Sequence, residues 1–180
     1  QLGLLYVFLT KPGKELPELS AAASLPKKAL DRWMALCLVL IRRGLISDTR
    51  DFLTALKLDS RTIRCCTDGV ALLSQPKPST PPDWKRLLCR MGVDTVSCAA
   101  RCLDALDGGS SYRELKAILK SGDCFTMKHL AVTGDDLAEL GFRGRELGEM
   151  LAFLLDYVIE YPANNRRELL LSLAGNTEEL

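Results

Sequence analysis

Histidine is nearly absent from this 180-residue chain, whose one histidine is His129. Metal-dependent phosphohydrolases of the HD type need several histidines paired with aspartates, so that chemistry is excluded. A Ser/His/Asp or Cys/His relay would have to use His129, with Cys124 as the nearest thiol in an irregular segment. A single histidine in such a segment is typical of a surface or interface residue. The sequence therefore offers no credible catalytic relay.

Two other patterns are missing. No segment alternates polar and apolar residues with β-branched enrichment, so no sheet is predicted. No run approaches the ~18 uncharged apolar residues that span a membrane. Leu2 to Leu9 is apolar, but it is too short for a secretory signal and has no basic stretch before it. We expect an all-α, cytoplasmic protein without membrane contact. Because the chain begins without an initiator Met, we expect a piece of a longer protein.

Nucleotide-binding motifs are also missing, since the chain has neither a P-loop nor a strand-borne dinucleotide fingerprint. Asp107-Gly-Gly-Ser-Ser111 suggests a nucleotidyltransferase site, which needs two strand-borne aspartates to hold two magnesium ions. The downstream candidate, Asp123-Cys-Phe125, has phenylalanine where the second carboxylate is required. A helix break at the glycines, with serine as the next N-cap, is the simpler interpretation.

Cysteine is present seven times, an odd number without the spacing of a disulfide framework. Cys98 and Cys102 lie one helical turn apart, but tetrahedral zinc needs four ligands and no second pair follows. Six of the seven cysteines fall in helical patterns. We therefore predict reduced thiols that act as small buried hydrophobic residues.

Helical periodicity dominates the rest of the chain, of which 47% is hydrophobic. Cap signals place helix starts at Asp48, Asp59, Thr80 and Thr133, and Asn164 or Asn165 is predicted to cap the last helix. The predicted helices are Lys27–Arg43, Asp48–Leu56, one from Ser60, one from Pro81, Val93–Leu106, Ser111–Leu119, Thr133–Leu140, Glu146–Ile159 and Arg166–Leu173.

Proline and charge divide the chain. Four prolines between residues 75 and 82 predict a linker at 76–82, between a helical domain at 1–75 and a second at 83–180. Residues 1–122 hold 19 Lys+Arg and 12 Asp+Glu, a net +7, whereas residues 123–180 hold 5 and 11, a net −6. A nucleic-acid partner would be attracted mainly by the basic part.

A glycine-rich turn in the acidic part is the best candidate for a binding site. Gly141-Phe-Arg-Gly144-Arg-Glu-Leu-Gly148 joins a short helix to a long one. Such a helix start exposes backbone amides that attract a phosphate, and Arg143 and Arg145 flank it. Gly144 and Gly148 share one smooth helix face. Close packing of that face against another helix is the alternative interpretation.

A family resemblance agrees with this site. Residues 123–165 resemble the C-terminal region of bacterial class II CCA-adding enzymes, within the tRNA nucleotidyltransferase and poly(A) polymerase family. That region has the pattern Leu-Ala-Val-x-Gly-x-Asp-Leu-x-x-Leu-Gly, then Gly-x-x-x-Gly, Leu-Leu and Pro-x-x-Asn. This chain supplies Leu130, Ala131, Val132, Gly134, Asp136, Leu137, Leu140, Gly141, Gly144, Gly148, Leu154, Leu155, Pro162 and Asn165. The segment from Phe52 to Arg64 looks like the family's helical body.

The resemblance implies a body-and-tail fragment that holds the elbow and acceptor stem of tRNA. The fragment itself would need no cofactor, because Mg²⁺ and CTP or ATP are expected in a head domain that, with a neck, is missing from this sequence. We expect RNA contacts from Lys128, Gly141, Arg143, Gly144, Arg145 and Gly148. A basic set would follow the acceptor stem: Lys27, Lys28, Arg42, Arg43, Arg61 and Arg64. The alternative is a helical protein-interaction or structural domain with no RNA affinity.

Overall fold

The computed structural model describes residues 24–176, so the apolar segment Leu2 to Leu9 lies outside the described residues. Within 24–176 the chain is entirely helical, without a strand, as predicted. The α-helices are α1 (Ala29–Arg42), α2 (Thr49–Ala55), α3 (Ser60–Leu73), α4 (Pro81–Met91), α5 (Val93–Asp107), α6 (Ser111–Ser121), α7 (Gly134–Glu139), α8 (Gly144–Glu160) and α9 (Arg167–Asn176). Short 3₁₀ turns cover Met127–His129 and Pro162–Asn164. None of the described helices is long and apolar enough to cross a membrane.

The helix starts follow the predicted caps. Asp48 accepts a hydrogen bond from the Asp51 amide, and Asp59 accepts one from the Thr62 amide. Thr133 begins α7 with a reciprocal capping box, in which Asp136 replaces the usual glutamate. These caps accept hydrogen bonds from amides that lack an acceptor inside their own helix. Short polar side chains in the sequence therefore predict the helix starts.

Two compact units are present, and neither is one continuous stretch. Among the described residues, the first contains 24–77 and 91–116, and the second contains 78–90 and 117–176. The sequence predicts domains at 1–75 and 83–180 with a linker at 76–82. That division assigns residues 91–116 to the second domain, whereas they belong to the first compact unit. The domain boundaries remain a prediction. The predicted helix start at Pro81 is confirmed, since α4 begins there.

In the first unit, α1, α3 and α5 pack against one another, and α2 packs on α3. The contact between α1 and α3 is close, because a Cβ added to Gly69 would clash with Cε of Met34. The carboxylate of Asp31 is 1% exposed and forms an ion pair of 2.6 Å with Arg101 on α5. The guanidinium of Arg101 also lies over the ring of Tyr112. A buried carboxylate needs such a partner, so this pair is part of the core.

The Asp107-Gly-Gly-Ser-Ser111 segment is a helix break, as predicted, and Ser110 directly precedes α6, where its carbonyl accepts the Glu114 amide. Its hydroxyl bonds to the Glu114 carboxylate and not to the first-turn amides. The Asp104 carboxylate accepts hydrogen bonds from the amides of Ser111 and Tyr112, at 2.8 and 2.9 Å. Asp107 forms a two-point ion pair with Arg42. The first-turn amides of α6 are therefore satisfied by a side chain from the preceding helix rather than by the local serine.

The second unit is built around α8. Apolar side chains of α8 pack with α7, α9 and the segment before α7. The buried members of this core are Cys124, Leu130, Val132, Leu137, Phe142, Met150, Leu154, Leu155, Val158, Ile159, Leu170 and Ala174. On α4, the guanidinium of Arg86 forms ion pairs with Asp156 and Glu160 of α8.

Two predicted boundaries in this unit were wrong. The long helix begins at Gly144 rather than Glu146, because the backbone enters it directly from the glycine turn. Neither Asn164 nor Asn165 uses its side chain on α9. The Asn164 amide donates to the Tyr157 hydroxyl, and the Asn165 amide bonds to the backbone of His129 and Ala131.

The cysteine prediction is confirmed in outline. All seven cysteines are free, six are buried, and Cys89 is exposed. Burial raises the pKa of Cys37 to about 12 and also raises the pKa of Cys66. These thiols therefore remain protonated at neutral pH and behave as small apolar side chains.

Candidate nucleic-acid interface

The turn between α7 and α8 is a helix termination followed at once by a helix start. The amide of Gly141 donates to the Ala138 carbonyl at 3.2 Å, and the amide of Phe142 donates to the Leu137 carbonyl at 3.2 Å. This pair of bonds is a Schellman motif, which needs a residue with positive φ after the helix. Gly141 supplies it with a φ of +108°. The predicted glycine cap is confirmed.

The start of α8 has no side-chain cap. Arg143 occupies the N-cap position in an extended conformation, and its side chain makes no capping hydrogen bond. Gly144, the first helical residue, has a φ of +52°, where an L side chain would be strained by ~1–2 kcal/mol. The first amides of a helix have no acceptor within it, so this end of α8 favours an anion. The Glu146 carboxylate lies in the same first turn, so it competes with a bound anion for the favourable interaction with this helix end.

The glycine face of α8 is open. A Cβ added to Gly141, Gly144 or Gly148 would meet no described atom within 4 Å. The alternative interpretation, in which Gly144 and Gly148 pack a neighbouring helix, therefore finds no neighbour among residues 24–176. Gly148 lies inside α8, where glycine costs roughly 0.5–1 kcal/mol relative to alanine. Neither backbone conformation nor packing in the described chain requires glycine at this position.

The two arginines of the turn are held differently. The Arg143 guanidinium donates through Nη1 to the carbonyls of Ala138 and Phe142, so it binds the carbonyl end of α7. Its Nε and Nη2 groups make no hydrogen bond within the described residues. Arg145 is 89% exposed and forms an ion pair of 2.6 Å with Glu149 one turn further along α8. Such an exposed pair contributes little and exchanges readily.

Lys128 belongs to a separate turn. It is exposed in the 3₁₀ turn Met127–His129, which packs against α8. The Asn165 side chain, which follows α8, bonds to the backbone on both sides of Leu130. The other five predicted residues lie together in the glycine turn and the first two turns of α8. The Lys128 turn instead contacts the body of α8 and Asn165.

Asp136 ties α7 to α9. Its carboxylate accepts hydrogen bonds from the amide and hydroxyl of Thr133, and it forms an ion pair of 2.7 Å with Arg167. The bond from the Thr133 amide, followed by that from Arg167, lowers the pKa of Asp136 to about 2. The capping box was visible in the sequence. The part played by Arg167 was not, because the two residues are 31 positions apart.

The cations predicted to follow the acceptor stem are only partly free of carboxylates. Arg42 is paired with Asp107 at 2.6 Å, and Arg61 is paired with Asp94. Both pairs are exposed, so their energies are small. Lys27, Lys28 and Arg64 are exposed.

The thiol closest in sequence to His129 is unsuited to nucleophilic chemistry. Cys124 is buried, its Sγ donates to the Thr126 carbonyl, and burial raises its pKa. A catalytic thiol needs the opposite shift. His129 is exposed and stands edge-on to the Phe125 ring. The geometry agrees with the sequence argument against a relay.

Comparison with known proteins gives the class of this helical chain. A family model described as "tRNA nucleotidyltransferase domain 2 putative" matches residues 27–174. The chain belongs to this family, and the matched region includes nearly all of the described residues. The search of solved structures returned no significant match.

A curated relative is more specific. The chain is 28% identical over 131 residues to the CCA-adding enzyme of Enterococcus faecalis. The match covers 71% of this chain and 32% of the relative. The chain thus matches about a third of the length of that enzyme.

Most positions of the family pattern have a structural role here. Leu130, Val132, Leu137, Leu154 and Leu155 are buried in the core of the second unit. The other pattern residues with a clear role form the capping box, the positive-φ turn and the side-chain bonds to the backbone around Leu130: Asp136, Gly141, Gly144 and Asn165. Gly148 is a pattern position at which neither backbone conformation nor packing in the described chain requires glycine.

Proposed function

We propose that this chain is the tRNA-binding body and tail of a CCA-adding tRNA nucleotidyltransferase. It would hold the elbow and acceptor stem of tRNA so that the 3′ end reaches a head domain elsewhere in the polypeptide. The observation that carries the proposal is the open glycine face at Gly144 and Gly148, beside an uncapped helix start and two arginines. Family membership and the similarity to a CCA-adding enzyme support it.

The glycine face suits a close approach by an RNA backbone. Without Cβ atoms, Gly144 and Gly148 let a sugar-phosphate strand approach the helix, and the amides at the start of α8 attract a phosphate. Arg143 offers guanidinium donors that its carbonyl contacts leave unused, and Arg145 can exchange Glu149 for a phosphate. Recognition would be by shape and charge, since the deep, narrow groove of A-form RNA hides its base edges.

In this proposal the chemistry of CCA addition lies outside the described residues. No group of three or more His, Cys, Asp or Glu side chains among residues 24–176 could hold a metal ion. In this proposal Mg²⁺ with CTP or ATP would be bound by the head domain. Maturation of tRNA ends would place the protein in the cytoplasm.

A filter-binding titration of the 180-residue chain tests the proposal. Folded tRNA is compared with unstructured RNA of the same length at the same salt concentration. We expect tighter binding of tRNA, because the unstructured RNA has the charge but not the shape. Equal binding would refute recognition by shape. No binding of either RNA would favour a helical protein-interaction or structural domain.

A further inference from the structure

Asn165 makes an unusual contact for a residue expected to cap a helix. Its Oδ1 accepts a hydrogen bond from the Ala131 amide at 2.8 Å, and its Nδ2 donates to the His129 carbonyl at 2.9 Å. The two backbone groups flank Leu130, whose backbone is extended. The side-chain amide therefore pairs with the chain as a neighbouring β-strand would.

These two bonds hold the backbone directly after the turn that carries Lys128. Leu130 is buried, and the preceding turn exposes Met127, Lys128 and His129. The His129 amide donates to the Thr126 carbonyl, and this hydrogen bond closes the turn. The Asn165 side chain, which follows α8, therefore fixes this turn together with the packing of the turn against α8.

The two bonds need one acceptor and one donor, which the side-chain amide of Asn165 supplies. Aspartate would keep the acceptor for the Ala131 amide but would place a carboxylate against the His129 carbonyl, and alanine would remove both bonds. The side-chain amide of Asn164, the preceding residue, donates to the Tyr157 hydroxyl on α8 at 2.7 Å rather than to the Lys128 turn. Replacing Asn164 therefore perturbs the segment after α8, whereas replacing Asn165 removes the bonds to the backbone beside the Lys128 turn.

We propose that Asn165 is a positioning residue for RNA binding, which fixes the 127–129 turn so that Lys128 meets a backbone phosphate. This inference rests on the proposed function, because it needs the chain to bind tRNA. It adds a residue that touches no RNA and acts only through Lys128. A preorganised cation binds with a smaller loss of side-chain freedom than a mobile one.

A double-mutant cycle on tRNA binding by the 180-residue chain tests this inference. Lys128→Ala and Asn165→Ala should each weaken binding by about three- to ten-fold and reduce the salt slope by ~0.7–0.9, the contribution of one phosphate contact. The double variant should bind like either single variant. Asn164→Ala, the matched control, should lower thermal stability. Its effect on the free energy of tRNA binding should add to that of Lys128→Ala.

Each other outcome overturns the inference in an identifiable way. Additive effects of Lys128→Ala and Asn165→Ala would mean that Asn165 does not act through Lys128. Weaker binding by Asn165→Ala than by Lys128→Ala, or lost helicity in circular dichroism, would show a general structural role. If the unaltered chain fails to bind tRNA, the proposed function fails as well. If Arg143→Ala/Arg145→Ala weakens binding while the cycle is additive, only the role of Asn165 is refuted.

Discussion

Replacing Gly148 by alanine is expected to move stability and RNA binding in opposite directions. The residue lies inside α8, its φ is not positive, and an added Cβ meets no described atom within 4 Å. Alanine should therefore stabilise the folded chain by roughly 0.5–1 kcal/mol, because it loses less backbone freedom on folding. For a chain of this size, 1 kcal/mol corresponds to a rise in melting temperature of about 2–4 °C.

The same methyl group should weaken the complex. If an RNA backbone lies against Gly148, an added carbon overpacks the contact at a cost of about 1–3 kcal/mol, which is roughly five-fold or more in affinity. Thermal unfolding followed by circular dichroism gives the stability, and filter binding gives the affinity for tRNA. The two measurements use the same protein preparation, so loss of folded protein is not mistaken for loss of affinity.

Gly175 supplies the matched control. It lies in α9, and an added Cβ there also meets no described atom within 4 Å. Gly175→Ala should raise stability, by less than in mid-helix because the residue is near the helix end, and leave tRNA binding unchanged. If Gly148→Ala is more stable and binds tRNA as well as the unaltered chain, the open face is not an RNA contact. If Gly148→Ala is less stable, the face is not open.

The remaining predictions concern charge. Arg101→Ala should destabilise the chain by ~3–5 kcal/mol in urea denaturation because it leaves the Asp31 carboxylate buried alone, and Asp31→Asn in that background should recover part of the loss. The lowered pKa of Asp136, about 2 against 3.8, stabilises the fold above about pH 4 and is lost as the pH falls toward 2, so Asp136→Asn should flatten acid unfolding in that range. Glu149→Gln should strengthen tRNA binding a few-fold by releasing Arg145 and leave stability within ~0.5 kcal/mol; weaker binding would contradict the role of Arg145.

Local signals in the sequence predicted most of the helices. The caps at Asp48, Asp59 and Thr133 and the glycine stop at Gly141 depend on residues within one helical turn, so the sequence contains all the partners. The same reasoning failed at Asn165. Its partners are 34 and 36 residues away, and only the folded chain brings them together.

The candidate site was predictable as a segment but not as an arrangement. The glycine turn was recognised from its spacing, and its exposure agrees with a binding role. The sequence did not reveal that Arg143 bonds to the carbonyl end of α7. It also did not reveal that Arg42 pairs with Asp107, 65 positions away. Long side chains choose partners by distance in the fold, so their availability for RNA depends on tertiary structure.

The salt dependence of tRNA binding by Arg143→Ala/Arg145→Ala tests the central claim most directly. Each phosphate contact contributes about 0.7–0.9 to the slope of log K against log salt concentration. We expect weaker binding by the double variant and a slope smaller by more than one. Arg86→Ala/Arg90→Ala, with the same loss of charge on α4, should leave the slope nearly unchanged. An equal slope in the Arg143/Arg145 variant and the unaltered chain would contradict the claim that this turn holds the RNA backbone.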